Sequence, residues 1–203
     1  DLIRVDHFRG LESAWVVPRG HPADSGHWEP TRGRDLLEAL QRDGALDGIV
    51  AEDLGVITPE VDALRDDFGL PGMRVLQFAF DGDPANPHLP ANIPENAAVY
   101  TGTHDTDTTL GWYRHADSEL RGRIASEAGG RGHISWLMIE LAFASRARLA
   151  IAPLQDFLEL GSRHRLNTPG RARGNWRWRF DWEDLSDRLA MQIRAVVAST
   201  NRL

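Results

Sequence analysis

Leu2-Ile3-Arg4-Val5-Asp6-His7-Phe8-Arg9-Gly10 is the stretch whose reading decides the fold. It predicts a strand that ends in chemistry. Strand side chains alternate with period two, so Ile3 and Val5 face one way and Arg4 and Asp6 the other. Asp6 and His7 fall where the strand gives way to a loop, and in barrels of parallel strands that end is the catalytic face. A cation two residues from a carboxylate on the same face favours the ionised form, which suits a nucleophile. Taken alone, Arg4 and Asp6 read first as a structural ion pair at a strand end. The rest of the chain changes that balance.

Four further runs repeat the pattern of a short, nearly continuous apolar strand ending in polar residues, as buried parallel strands do. They are Leu46–Leu54 with Glu52 and Asp53, Met73–Phe80 followed by Asp81, Ala97–Thr101 running into His104-Asp105, and Leu149–Leu154 followed by Gln155-Asp156. Between them lie predicted helices. Asp35–Arg42 carries Leu36, Leu37 and Leu40 at helical spacing. The next opens with Thr58 as cap, Pro59 at the first helical position and Glu60 at the positive dipole end, and stops at Gly69. A polar helix is expected over Ser118–Ala128, an apolar one over Ile134–Arg146 and a last one over Asp184–Thr200. The segments 20–34, 83–96 (four prolines) and 158–175 read as loops.

The alternation is α/β, and five such strands fit the second, C-terminal part of a TIM-type (β/α)8 barrel, which the resemblance described below makes about strands four to eight. A full barrel takes about 250 residues. The chain has 203 and starts at Asp1 inside its first strand. The expectation is therefore one partial catalytic barrel domain over residues 1–203, with the N-terminal part of the barrel missing. An open doubly wound sheet fits less well, because no strand is followed by a Gly-rich phosphate loop.

Composition narrows the classes. Hydrophobic residues make up 41% and charged residues 26%, ordinary for a globular domain. A net charge of −7 argues against general affinity for nucleic acid or anionic membranes. The six arginines between Arg163 and Arg179 read as a solvated loop or a protein-facing surface rather than a nucleic-acid site. With no cysteine there are no disulfides, thiolate metal sites or cysteine nucleophiles, which is compatible with the expected cytoplasmic location. No apolar run approaches the roughly 20 residues of a membrane span.

If the fold is a barrel, the strand-end acids Asp6, Glu52, Asp81 and Asp105 share one mouth. Paired carboxylates flanking one bond are what retaining glycoside chemistry requires, one ionised and attacking, the other protonated and donating. The apolar neighbours Ile49, Val50 and Leu54 suit Glu52 to the proton-donor part.

Five motifs then carry a resemblance: Arg4–Gly10, Ala51-Glu52-Asp53-Leu54-Gly55, Pro71–Phe80, Tyr100-Thr101-Gly102-Thr103-His104-Asp105, and Asn167-Thr168-Pro169-Gly170 with Gly174–Arg179. In this order they resemble the amylomaltase, or 4-alpha-glucanotransferase (disproportionating enzyme), family of the alpha-amylase superfamily. The resemblance implies transfer of alpha-1,4-glucan segments between maltodextrins through a covalent glycosyl-Asp intermediate, with no cofactor and no metal. It implies Asp6 as nucleophile, Glu52 as acid/base and Asp105 as the third carboxylate that fixes sugar hydroxyls. Arg4, His7, Asp53, Asp81, His104 and Asn175 become candidate substrate contacts. Ala91 and Thr106 depart from the family's usual His and Asn, which bears on subsite preference.

Three rivals fit parts of the pattern. A metal hydrolase needs inward ligands, but neighbours such as Asp6-His7 and His104-Asp105 point apart along a strand. A sugar-binding module would use Trp112, Trp176, Trp178 and Trp182 as stacking platforms. An alpha-amylase-type hydrolase needs the same three acids and differs only in its acceptor.

Overall fold

The computed structural model describes residues 1–127 and 132–202. In chain order the regular elements are β1 (Ile3–Val5), β2 (Ser13–Val16), β3 (His27–Pro30), α1 (Gly33–Arg42), β4 (Ile49–Ala51), α2 (Pro59–Asp67), β5 (Gly72–Val75), β6 (Ala97–Tyr100), α3 (Thr109–His115), α4 (Ser118–Glu127), α5 (Ile134–Ala144), β7 (Leu149–Ile151), α6 (Leu154–Phe157) and α7 (Asp187–Ser199). One five-stranded sheet has the order β1-β4-β5-β6-β7, with β1–β4 and β4–β5 pairing in parallel. A separate antiparallel pair joins β2 and β3. No described helix is long and apolar enough to cross a membrane.

All five sheet strands fall where the sequence places them, each shorter than expected. The run Met73–Phe80 is the clearest correction. It leaves the strand at Val75, whose N–H donates to His88 Nδ1 at 3.1 Å. Leu76–Phe78 then forms a 3-10 turn, and Asn86 holds the Phe78 carbonyl at 2.8 Å. Likewise Leu154 opens α6 instead of closing a strand. The loop expected over 20–34 contains β3, and α3 is an element the sequence reading lacks. The polar helix matches α4 through Glu127; its last expected residue, Ala128, lies outside the described residues.

The chain divides into two units, Asp1–Met73 with Asn96–Ala98, and Arg74–Glu95 with Val99–Leu203. In the first, Phe8, Leu37, Leu46, Ile49, Ala51, Val61, Leu64 and Leu70 form the core. Leu37 comes from α1 and Val61 and Leu64 from α2, the stripe positions their spacing predicts; Leu36 turns out to solvent. Thr58 precedes α2 without a side-chain capping bond to the backbone. The Glu60 carboxylate, exposed in the first turn, accepts from the Thr58 hydroxyl instead, and this holds it below the ordinary carboxylate range. Gly69, at φ +63°, ends the segment in the left-handed conformation that favours glycine. Trp15 and Trp28 face each other across the β2–β3 hairpin with centroids 5.4 Å apart, and the Arg9 guanidinium lies 3.8 Å over Trp28.

In the second unit Met138, Ile139 and Ala142 of α5 and Ile124 of α4 are fully buried. In α7 the buried residue is Leu189. Just past α7, Arg202 donates to the carbonyls of Phe143, Ser145 and Ala147 and caps the end of α5.

Candidate active site

The register of β1 on β4 pairs Val5 with Ala51, so Asp6 and Glu52 are the next residues along two neighbouring parallel strands. The ladder continues past both ends. Glu52 N–H donates to Val5 O at 3.0 Å, and Phe8 N–H donates to Glu52 O at 3.0 Å. Adjacent strands lie about 4.8 Å apart, which sets the scale for the distance between the two side chains' origins.

Asp6 is three-quarters exposed and paired with Arg4, whose Nη1 donates to Asp6 Oδ1 at 2.8 Å. Arg4 is held from behind by Met73 Sδ, 3.2 Å from its Nε. Glu52 is half-buried, and both of its oxygens receive backbone N–H groups: His7 to Oε2 at 2.5 Å and Leu54 to Oε1 at 3.2 Å. His7 takes a left-handed conformation, φ 49° and ψ 53°, and this turns its N–H onto Glu52. The sequence reading gives His7 a side-chain part. The structure adds a backbone one, which only the positive φ reveals.

Asp53 is placed elsewhere. Its side chain is 2% exposed, it pairs with Arg65 of α2, and it accepts Met73 N–H at 2.6 Å. Period two explains the divergence: Glu52 and its neighbour Asp53 leave the strand on opposite faces. Arg65 also meets Asp62 at 2.8 Å and Asp66 at 2.7 Å. Burial works against its charge, but these carboxylates outweigh it and raise its hold on the proton. Asp53 lies so close to the start of β5 that a Cβ on Gly72 would overlap its carboxylate. Glycine is a packing requirement there.

In the second unit, Asp105 sits in the turn after β6. Asn167 Nδ2 donates to its Oδ1 at 2.5 Å, and Arg165 Nη2 to its carbonyl at 2.9 Å. His104 Nε2 lies 3.4 Å from Asp105 Oδ2, and its ring stacks at 5.4 Å on Trp176, which is 55% exposed. Asn175 accepts Thr168 N–H at 3.1 Å and donates to Arg171 O at 2.9 Å, so it fixes the 168–175 turn beside Trp176. Asp81 takes Asp83 N–H at 3.0 Å. That bond, Asn86 and Arg123 hold its carboxyl below the usual range. Asp81 and Asn175 are thus engaged in shaping their own loops. Arg165 and Asn167 hold Asp105, a part the sequence reading did not give them, although Asn167 opens one of the motifs quoted above.

Asp156 does not join the exposed acids. It is 1% exposed. It accepts from Thr101 Oγ1 at 2.6 Å, Thr109 Oγ1 at 2.7 Å and Thr109 N–H at 2.8 Å. Those threonines bracket the loop 102–108, so one buried carboxylate clasps both ends of the segment that carries His104 and Asp105. Burial pushes its carboxyl up, against the pull of those bonds. Among the described residues no group of three or more His, Asp or Glu is arranged to hold a metal ion.

The sequence matches the 4-alpha-glucanotransferase family over residues 1–185. It is 52% identical over 196 residues to a 4-alpha-glucanotransferase of Synechocystis sp., covering 94% of this chain and 39% of that protein. It is 47% identical over 212 residues to a 4-alpha-glucanotransferase of Thermus thermophilus, covering 100% of this chain and 42% of that protein. The chain thus spans about two-fifths of the length of these curated relatives. Its fold superposes on the Streptococcus agalactiae amylomaltase solved in complex with acarbose with a TM-score of 0.93 at 28% identity, over 100% of this chain and 42% of that one. By its sequence, with a fold to match, the chain belongs to the 4-alpha-glucanotransferase family.

Proposed function

We propose that this chain carries the acid-bearing strands of an enzyme that moves alpha-1,4-glucan segments between maltodextrins with retention at the anomeric carbon. The observation that carries the reading is the placement of Asp6 and Glu52 one step beyond the paired residues Val5 and Ala51 on adjacent strands. Retaining enzymes need their two carboxyl groups about 5 to 5.5 Å apart, and neighbouring strand ends suit that spacing.

Asp6 attacks C1 of the donor sugar while protonated Glu52 gives its proton to the departing glycosidic oxygen. A glycosyl ester of Asp6 forms and the shortened chain leaves. Glu52, now a carboxylate, takes the proton from the 4-hydroxyl of an acceptor chain. That oxygen attacks C1, and Asp6 leaves as a carboxylate. Arg4 holds the Asp6 carboxylate in place for the first step through its 2.8 Å hydrogen bond. His7 N–H and Leu54 N–H fix the direction of Glu52, so that it serves both proton transfers without moving. Asp105, held by Asn167 and Arg165, is assigned the grip on ring hydroxyls, with Trp176 and His104 as the flat surfaces beside it. The metal-hydrolase alternative gains no support, because Asp6 is engaged by Arg4 and Asp105 by Asn167. We further place β1, β4, β5, β6 and β7 as strands four to eight of a (β/α)8 barrel, and expect the 203 residues alone not to catalyse transfer.

The test uses the full-length enzyme. Asp6→Asn and Glu52→Gln should each lower transfer between maltodextrins by on the order of a hundredfold or more. With an activated donor, Glu52→Gln should accumulate a glycosyl adduct on the peptide containing Asp6, seen by mass spectrometry. Retention of more than about a tenth of the rate in either variant, or an adduct on another residue, would overturn the assignment.

A further inference from the structure

Arg114 and His115 end α3, and Arg163 and His164 lie on the 3-10 turn Ser162–His164. With Gly161 and Ser162 these four side chains line an open cleft of about 500 Å³ that no Asp or Glu lines. That volume falls in the range of small-molecule sites, about 300 to 1,000 Å³.

The cleft stands out against the rest of the chain. The protein is acidic overall, net −7, and several of its arginines meet carboxylates: Arg4 with Asp6, Arg32 with Asp35, Arg34 with Asp67, Arg65 with Asp53, Arg123 with Glu119. Among the described residues, the guanidinium groups of Arg114 and Arg163 have no hydrogen-bonding or ion-pair partner. Cations at the end of α3 suit its dipole, which accounts for Arg114 and His115. It does not account for Arg163 and His164, which come from a different turn. Arg114 moreover reaches over that turn. A Cβ at Gly161 would stand 3.1 Å from its Nη1, so glycine keeps the path of the guanidinium clear.

The imidazoles are oriented as well. His115 Nδ1 lies 2.8 Å from Gly111 O and His164 Nδ1 lies 3.3 Å from Gly161 O. A carbonyl only accepts, so in each ring Nδ1 carries the hydrogen and Nε2 is the atom left over. Nε2 accepts from a protonated phosphate oxygen when the ring is neutral and donates to a bare one when the ring is charged. Two planar guanidinium forks and two such nitrogens match a group with several oxygens and either protonation state. A phosphate is that group, and guanidinium recognises it through paired N–H donors. One-sign lining in a concave site also concentrates anions there.

We propose that this cleft binds a phosphate group, free or carried on a small sugar. None of its lining residues is one to which the glucan reading gives a part, and the proposal does not rest on that reading.

The full-length protein is titrated with inorganic phosphate, with glucose 1-phosphate and with glucose, followed by ³¹P line broadening and by the ring-proton shifts of His115 and His164. Saturable binding of both phosphates with shifts of both histidines is the expected result. Tighter binding of glucose 1-phosphate would identify the sugar ester as the better ligand, and equal affinity would identify the phosphate group alone. Arg114→Ala and Arg163→Ala should each weaken phosphate binding by about tenfold, since a hydrogen bond to a charged group is worth that much. Both side chains are exposed, so far-UV circular dichroism should be unchanged. Absence of saturable phosphate binding, no shift of either histidine in the wild type, or a double variant that binds as tightly as the wild type would overturn the proposal.

Discussion

Among the described residues, each unit of the molecule buries one carboxylate, and the two are kept in the interior by different means. Asp53 in the first unit meets a guanidinium, Arg65, which two further carboxylates also hold. Asp156 in the second meets no cation; two threonine hydroxyls and one backbone N–H receive it. Neutral donors orient a carboxylate without repaying its lost hydration, whereas a cation does both. That is why burial pushes Asp156 up. One unit has built a permanent ion pair under its acidic strand end. The other has built a clasp whose strength depends on a proton.

The sharpest way to break this contrast is to neutralise each acid. Asp53→Asn strands Arg65, 11% exposed, with only its outer partners, and should cost about 3 kcal/mol in urea unfolding, the low end for a broken buried pair. Asp156→Asn imitates the protonated acid, keeps an oxygen for Thr109 N–H, and should cost about 1 to 2 kcal/mol. Equal losses would mean that the cation makes no difference. Next comes the pH series. Asp156 holds its proton more tightly when folded than when unfolded, so its contribution is full below the unfolded value, 3.8, and fades as pH rises through the folded one. The stability gap between wild type and Asp156→Asn should therefore narrow as pH rises from about 4 upward. A gap that widened would reverse the sign and remove the argument. The smallest effect belongs to the exposed pair: Arg4→Met should change stability by no more than about 1 kcal/mol. A larger loss would show that Arg4 is anchored mainly through its packing on Met73.

How much of this could be read from the residues follows from the range of each interaction. Strand order and the helices α1, α2 and α5 depend on local periodicity, and they fell close to expectation. The pairing of Asp6 with Arg4 is also local, two residues on one face. Asp53 is a candidate sugar contact through the resemblance of its motif alone. What holds it is Arg65 of α2, in direct contact but twelve residues further along the chain, and no local pattern marks that reach. Val75 left its strand for His88 and Asp156 turned inward to Thr101, partners thirteen and fifty-five residues distant. The hairpin of β2 and β3 escaped notice because its strands are short and joined by a long Gly- and Pro-bearing segment. α3 was hidden by Gly111 near its start, where Thr108 nonetheless supplies the cap by accepting Gly111 N–H at 3.1 Å.

The clasp at Asp156 has a consequence for how this protein can change over generations. Because both ends of the loop 102–108 are fastened to one interior group, closing the loop rests on Thr101, Thr109 and Asp156, while inside it Asp107 takes Ser162 Oγ and Thr108 caps α3. Closing a flexible loop grows costlier only with the logarithm of its length, so doubling this one adds about 0.6 kcal/mol. Insertions there are nearly free for the scaffold, while substitutions at Thr101, Thr109 or Asp156 are not. Diversity should accumulate between two fixed threonines, and a library that varies the length of the loop around Thr103 and His104 while leaving the clasp, Asp105, Asp107 and Thr108 alone should return folded proteins with new preferences.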